Sequence, residues 1–416
     1  MSIFLKRVFL SVIVVLSSCP LVLADEKDDS ILMADKRRVE AYYRSLAELS
    51  FIDSIPMIKN SPKWVRSYLN SFFRGNIDRT REKKLDLSFG ISPSYTREAS
   101  FGIGALCTGL YRMDRNDTLQ MPSDIYLCLN ASLNRFFWVT LKGNNLFPDN
   151  RSRLSYRFDA YRKLLDFWGI TSVETHKNEK SRYDRRQIDL QLEYNYRIAR
   201  NWYVGVWYRS NFTQARNMER PEYLLGERTD IYVTGIGASI ELDSRNSLLT
   251  PTRGVHLSYS FMAFPKILGS APAFFDSHRF VANAYVGAWK SATLAFDLYA
   301  KINSTRTPWS MREMVAGDGI RMRGYYMGSY IDNSQIAFQT EVRQHIWGRF
   351  GAVVWAGFAT VFPSMKDFAK RELRPQWLPN GGVGLRFEFK HNVNARIDFG
   401  MGRHTLGFVF AVAEAF

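Results

Sequence analysis

From Lys84 onward, apolar and polar residues alternate with a period of two. Ile188, Leu190, Leu192, Tyr194, Tyr196 and Ile198 are interleaved with Asp189, Gln191, Glu193, Asn195 and Arg197. Val383, Leu385, Phe387 and Phe389 alternate with Gly384, Arg386, Glu388 and Lys390, and Ala395, Ile397, Phe399 and Met401 with Asn394, Arg396, Asp398 and Gly400. Alternation of this kind gives a strand one apolar, aromatic face and one charged face. A soluble sandwich also alternates, but with shorter strands; here the runs reach about ten residues or more, with aromatics near their ends. The pattern predicts an all-β fold, a transmembrane antiparallel barrel of about sixteen strands spanning 84–416. Its apolar face meets lipid, its polar face lines a wet lumen, and closure removes exposed sheet edges. An even strand number leaves both ends of the barrel in the periplasm. The polar stretch Lys163–Arg186 interrupts the alternation and predicts a long loop.

The chain before Lys84 follows another rule. Val39, Tyr42, Leu46 and Leu49 recur at helical spacing. Ser61-Pro62 fits an N-cap and first helical residue, with Val65, Tyr68, Leu69 and Phe72 on one face and Gly75 at the end. Residues 25–83 therefore predict one or two short amphipathic helices on the periplasmic side, which plug or cap the barrel, lie on a membrane or bind a partner. Met1–Ala24 has the form of a secretory signal: Lys6 and Arg7, an apolar run from Val8 to Leu16, and a small-residue exit. Val22-Leu23-Ala24 fits cleavage before Asp25, while Leu16-Ser17-Ser18-Cys19 also matches a lipobox, with lipidation at Cys19. Both routes export the chain.

Composition narrows the function. The 416 residues are 15% aromatic and carry a formal charge of +16. No long apolar run follows the signal, which excludes a helical membrane protein. The basic excess is spread over strands and turns, which suits a cationic lumen or contact with acidic lipopolysaccharide rather than nucleic acid. Beyond the signal the only cysteines are Cys107 and Cys128. They are either two small apolar side chains or, if Phe101–Arg112 and Asp124–Leu133 form a hairpin turning between Asp117 and Thr118, a cross-strand disulfide. The six histidines have no metal-ligand spacing, and no Gly-x-Ser-x-Gly elbow is present, so neither enzyme, metal site nor cofactor is expected.

One loop stands out. Gly317–Tyr330, between the alternating runs Thr293–Asn303 and Gln335–His345, is rich in glycine, Met and Tyr and contains Arg323-Gly324-Tyr325. Glycine allows backbone to fold closely on other backbone, so this loop is expected to turn back on the protein. The last run, Thr405–Phe416, places Leu406, Phe408, Phe410 and Val412 on one face and ends on Phe416, with Glu414 interrupting the face.

Three stretches together resemble the BamA/TamA family of outer-membrane assembly and translocation barrels, the bacterial surface antigens. The first is Leu242-Asp243-Ser244-Arg245 followed by Thr250-Pro251-Thr252-Arg253-Gly254, similar to the family's Asp-x-Arg…Pro-x-x-Gly passage through Asp243, Arg245, Pro251 and Gly254. The second is Arg323-Gly324-Tyr325. The third is Gly381–Gly402 with the closing strand, whose Phe408, Phe410 and Phe416 look like the tail by which outer-membrane barrels are recognised. The resemblance implies that the loop enters the lumen from outside and that Arg323 pairs with acids on the wall. Glu341 matches one of these acids. The position of the second is occupied by Gly357, which leaves Asp398 or Glu388 as its substitute. Residues 25–83 are too short for the family's periplasmic POTRA module. The resemblance further implies an integral protein of the Gram-negative outer membrane that acts in assembly, insertion or translocation, with assembly partners in the periplasm or outer membrane. The implied mechanism opens the seam between Leu85–Tyr95 and Thr405–Phe416, where Pro93 lacks a ladder donor. A passive pore or a structural, partner-binding barrel is the alternative.

Overall fold

The computed structural model describes residues 79–416, apart from breaks at 97–99, 116–119, 134–135, 149–150, 176, 370–375 and 391, together with 62, 63 and 65. The signal segment, Cys19 and most of residues 25–78 lie outside the described residues; Lys63 and Val65 are helical. The strands, in chain order, are β1 (Asp86–Thr96), β2 (Ser100–Tyr111), β3 (Ser123–Ser132), β4 (Phe137–Leu146), β5 (Ser152–Phe167) and β6 (Ser181–Ala199). They continue with β7 (Trp202–Arg216), β8 (Asp230–Asp243), β9 (Gly254–Phe264), β10 (Phe275–Gly287), β11 (Ala292–Asn303), β12 (Glu313–Met314) and β13 (Ile331–Asp332). The last are β14 (Ser334–Trp347), β15 (Phe350–Phe362), β16 (Leu378–Lys390), β17 (Val393–Gly402) and β18 (Thr405–Val412).

Sixteen of them form one antiparallel sheet in which each strand pairs with the next, and β12 pairs only with β13, inside the connection from β11 to β14. Among the described residues no ladder joins β1 to β18, although the two edges come close. The sheet is that of an antiparallel β-barrel. Its burial is inverted relative to a soluble protein. On β6 the outward Ile188, Tyr194, Tyr196 and Ile198 are exposed, whereas the inward Asp189, Glu193 and Asn195 are buried. The same holds on β16 and β17, where Leu385 and Phe399 are exposed and Arg386 and Asp398 buried. Apolar side chains facing out and charges facing in make sense only if the surrounding solvent is lipid.

Strand parity puts the β11–β14 connection at the extracellular end and the β8–β9 turn at the periplasmic end. The stretch Lys163–Arg186 is shorter as a loop than expected: β5 and β6 continue into both its ends as a paired hairpin, leaving residues 168–180 as the connection. Charged cross-strand pairs replace apolar alternation here, with Arg162–Asp184 and Lys180–Asp166 each at 2.7 Å. A hairpin that projects beyond the bilayer has no lipid to satisfy. At the extracellular end Phe167, Tyr183, Leu224, Phe264, Phe275 and Trp309 form a buried apolar core. It holds the stem of the β11–β14 connection, aided by Arg312 paired with Glu227 at 2.7 Å.

Two further expectations are corrected. The β2–β3 register pairs Cys107 with Leu127 and Cys128 with Leu106, one residue off the expected alignment. A one-residue shift turns the two side chains to opposite faces, and both thiols are free. Second, β18 ends at Val412, and Ala413 takes a left-handed conformation with φ 72°. The chain therefore turns inward. Phe416 leaves the outer ladder and lies 4.9 Å under the Arg343 guanidinium, while Glu414, which breaks the apolar alternation, is delivered to the lumen.

Candidate functional site: a loop clamped inside the lumen

The β11–β14 connection descends from the extracellular end into the barrel. It turns at Met322–Tyr325, where the Tyr325 amide donates to the Met322 carbonyl at 3.1 Å. Gly324 has φ 109°, and a Cβ there would lie 2.5 Å from the backbone of Gly400. The wall is shaved to match. A Cβ on Gly400 would meet the Arg323 carbonyl at 2.1 Å, and one on Gly402 the Tyr325 ring at 2.3 Å. Glycines on both partners let the loop backbone lie directly on β17. The Tyr325 hydroxyl donates to the Pro379 carbonyl at 2.7 Å and accepts from the Arg403 amide at 2.8 Å; the Asn380 amide donates to the Arg323 carbonyl at 3.1 Å.

Arg323 is buried with both of its acids. Nη2 bonds Glu341, Nη1 bonds Asp398 at 2.8 Å, and the guanidinium stacks on Trp355 with 3.8 Å to the ring centre. The second carboxylate thus comes from Asp398 on β17. Gly357 does face inward, opposite Gln339, but its added Cβ would meet Gln339 at 2.8 Å, so the position has no room for a carboxylate. Glu388 lies apart, accepting from the Asn392 amide. Both acids are shared: Arg343 reaches Glu341 at 2.9 Å, and Arg386 and Arg396 each reach Asp398 at 2.6 Å.

Sequence reasoning passed over a second clamp. Arg321 grips Asp297 through Nε and Nη2, both at 2.7 Å, stacks on Tyr299 at 4.2 Å and bonds Asp318 at 2.9 Å. Asp297 faces the lumen opposite Gln339, one rung nearer the extracellular end than Ala295, the partner of Glu341. Two arginines spaced two apart thus meet acids on successive rungs of adjacent strands. The signal was present in the inward phase of Asp297 within the alternating run that precedes the loop.

The strand–turn motif builds a separate cluster at the periplasmic end. Asp243 accepts from Arg245 through both oxygens at 2.8 Å and from Arg153 at 3.0 Å, and Arg153 also bonds Glu241. Burial alone would lower the pKa of Arg245, but the adjoining Asp243 more than offsets this and holds it raised. Gly254, at φ 103°, lets the turn pass the Ser244 carbonyl, which a Cβ would approach to 2.3 Å. Between them, residues 246–253 cross the periplasmic mouth. The Pro251 carbonyl accepts from Arg343 at 3.5 Å and the Leu249 carbonyl from the Glu414 amide at 3.3 Å. Glu241, Asp243 and His256 also lie close enough to share a cation. With the carboxylates already bonded to Arg153 and Arg245, their charge is balanced without one.

At the seam, Lys390 at the end of β16 donates to Asp86 at the start of β1, at 2.6 Å, and both are buried. Phe408 and Phe410 lie on the outward face of β18, opposite Phe399 and Ile397 of β17.

A model of the Omp85 superfamily domain matches residues 137–405. No curated protein matches the chain. Among solved structures, CdiB from Escherichia coli aligns with a TM-score of 0.52 at 11% identity, over 79% of this chain and 62% of that one. BamA from Haemophilus ducreyi lacking POTRA domains 1-3 aligns with a TM-score of 0.46 at 12% identity, over 79% and 70%. CdiB from Acinetobacter baumannii aligns with a TM-score of 0.47 at 10% identity, over 83% and 66%. At such identities the likeness is one of fold.

Proposed function

The chain belongs to the Omp85 superfamily, and from that premise we propose that it handles other polypeptides at the outer membrane, inserting or translocating them by opening the seam between β1 and β18. One observation carries the reading: among the described residues the barrel has no backbone ladder between these two strands. β18 is only eight residues long, and Pro93 in β1 offers no N–H for pairing. A strand edge that lacks a neighbouring backbone ladder is a template for an incoming strand. The process has no covalent step. What disfavours the passive-pore alternative is that a loop and a tail enter the lumen and are held to its wall by buried ion pairs.

Depletion of the protein followed by a census of other outer-membrane barrels and exported proteins tests the proposal. A selective fall in some of them supports it, and unchanged levels refute it. Planar-bilayer recordings separate the pore reading: steady open conductance favours a pore, closed or flickering traces the plugged barrel. Pulldown from outer membranes identifies the assembly partners that the resemblance implies.

A further inference from the structure

Contacts around Arg323 close into a ring of alternating charge. Arg323 bonds Glu341; Glu341 bonds Arg343 at 2.9 Å; Arg343 lies 3.8 Å from Glu414; Glu414 bonds Arg386 at 2.8 Å; Arg386 bonds Asp398 at 2.6 Å; and Asp398 bonds Arg323 at 2.8 Å. Three members lie on the walls of β14 and β16, one on β17, one on the extracellular loop, and one on the tail that leaves β18. We propose that this ring couples the loop to the seam strand, so that the inward loop and the inward tail each stabilise the other, and withdrawal of one releases the other.

The electrostatics support coupling in both directions. Within the ring and its neighbour Arg396, four guanidinium groups face three side-chain carboxylates, with the Phe416 oxygen a further acceptor for Arg343 at 2.8 Å; the side chains are buried, where charge interactions are weakly screened. Removing Glu414 leaves four guanidinium groups against two side-chain carboxylates, and Arg323 is the member not fixed to a wall strand. Removing Arg323 instead frees Glu341 and Asp398 to draw Arg343 and Arg386 fully to themselves and away from Glu414. Such coupling is reciprocal by thermodynamic necessity. The tail is well placed to transmit it: the Ala413 amide is held by the Asn394 carbonyl at 2.8 Å, and the Glu414 carboxylate by the Asn394 amide at 2.7 Å. Freeing Glu414 loosens the periplasmic end of the edge strand itself. The proposal stands on these contacts whatever the barrel's clients are.

The test uses the full chain in nanodiscs, in a Cys107→Ala/Cys128→Ala background, with a membrane-impermeant maleimide. Met322→Cys reports on the loop, Ala415→Cys on the tail, and Ala271→Cys on the extracellular core; all three sites are buried. Glu414→Gln is expected to raise labelling at Met322→Cys about fivefold or more, with Glu414→Asp intermediate. Arg323→Gln is expected to raise labelling at Ala415→Cys by a similar factor, with Ala271→Cys unchanged in both. Heat-modifiable mobility shows which variants are folded, and Glu414→Asp takes the place of any Glu414→Gln chain that is not. Loop labelling within about twofold of the parent in a folded variant, given the fivefold or greater coupling typical of linked sites, overturns the proposal. So does a rise in only one direction, or an equal rise at Ala271→Cys, which would mean general loosening.

Discussion

Arg321→Ala is expected to release the lumen loop more completely than Arg323→Ala, although Arg323 carries the recognisable tripeptide and is buried together with both its acids. The reason lies in what each substitution leaves behind. Without Arg321, the fully buried Asp297 keeps only neutral donors, Asn283 at 2.7 Å and Gln339 at 3.1 Å. Breaking a buried pair so that one charge remains uncompensated costs about 3–5 kcal/mol, and the lost stacking on Tyr299 adds about 1 kcal/mol. A cost of about 4 kcal/mol lowers the docked population roughly a thousandfold relative to the undocked one. Without Arg323, by contrast, Glu341 keeps Arg343, and Asp398 keeps Arg386 and Arg396. The loss reduces to charge-assisted bonds and stacking on Trp355, about 2–3 kcal/mol. Single-channel recording in planar bilayers measures the outcome as open probability, and the temperature of the mobility shift in SDS gels reports on barrel stability. Longer and more frequent openings are expected in Arg321→Ala than in Arg323→Ala, both above the parent. Parental traces and shift temperatures in both variants would refute the clamp, and a larger effect from Arg323→Ala would refute the argument from residual partners.

Gly400→Ala should prevent the loop backbone from seating on β17, because its Cβ would lie 2.1 Å from the Arg323 carbonyl. The overpacking cost of about 1–3 kcal/mol should appear as increased conductance with an intact barrel. Lys390→Met leaves Asp86 only the more distant Lys83, at 3.8 Å, and should cost about 2 kcal/mol, read as a lower mobility-shift temperature and faster disulfide trapping of a strand peptide against a cysteine in β1; unaltered trapping would deny Lys390 a role at the seam. Tail docking should weaken in acid. Burial raises the pKa of Glu414, but Arg386 and Arg343 outweigh it and hold the carboxyl below its ordinary value of 4.5. Its stabilising contribution is present above that value and is lost as pH falls through the depressed folded one. Maleimide labelling at Ala415→Cys, taken as a ratio to an exposed control thiol at the same pH because the reactive thiolate fraction falls in acid, should rise on acidification, and Glu414→Gln should flatten the part of that dependence below pH 4.5.

The alternation of apolar and polar residues by itself determined the barrel, its strand number and which face meets lipid, because a side-chain period of two leaves no other way to bury charges and expose aromatics. It also made the inward loop legible, since glycines and an arginine among tyrosines and methionines are ill suited to a solvated tip. What it left open concerned residues brought together from strands far apart in the chain. The choice of Asp398 over Glu388 depends on the β16–β17 register and the close approach allowed by Gly400. The free state of Cys107 and Cys128 depends on a single residue of register, which a loop of unknown shape leaves undetermined. The hairpin at Lys163–Arg186 lost its periodic signal where it left the bilayer, because outside lipid both faces of a strand can be polar. Phe416 read as an outward residue because periodicity assumes that a strand continues, and the left-handed Ala413 ends it. The charge ring through Glu414 exists only once three strands, a loop and a tail converge on the same point in the lumen.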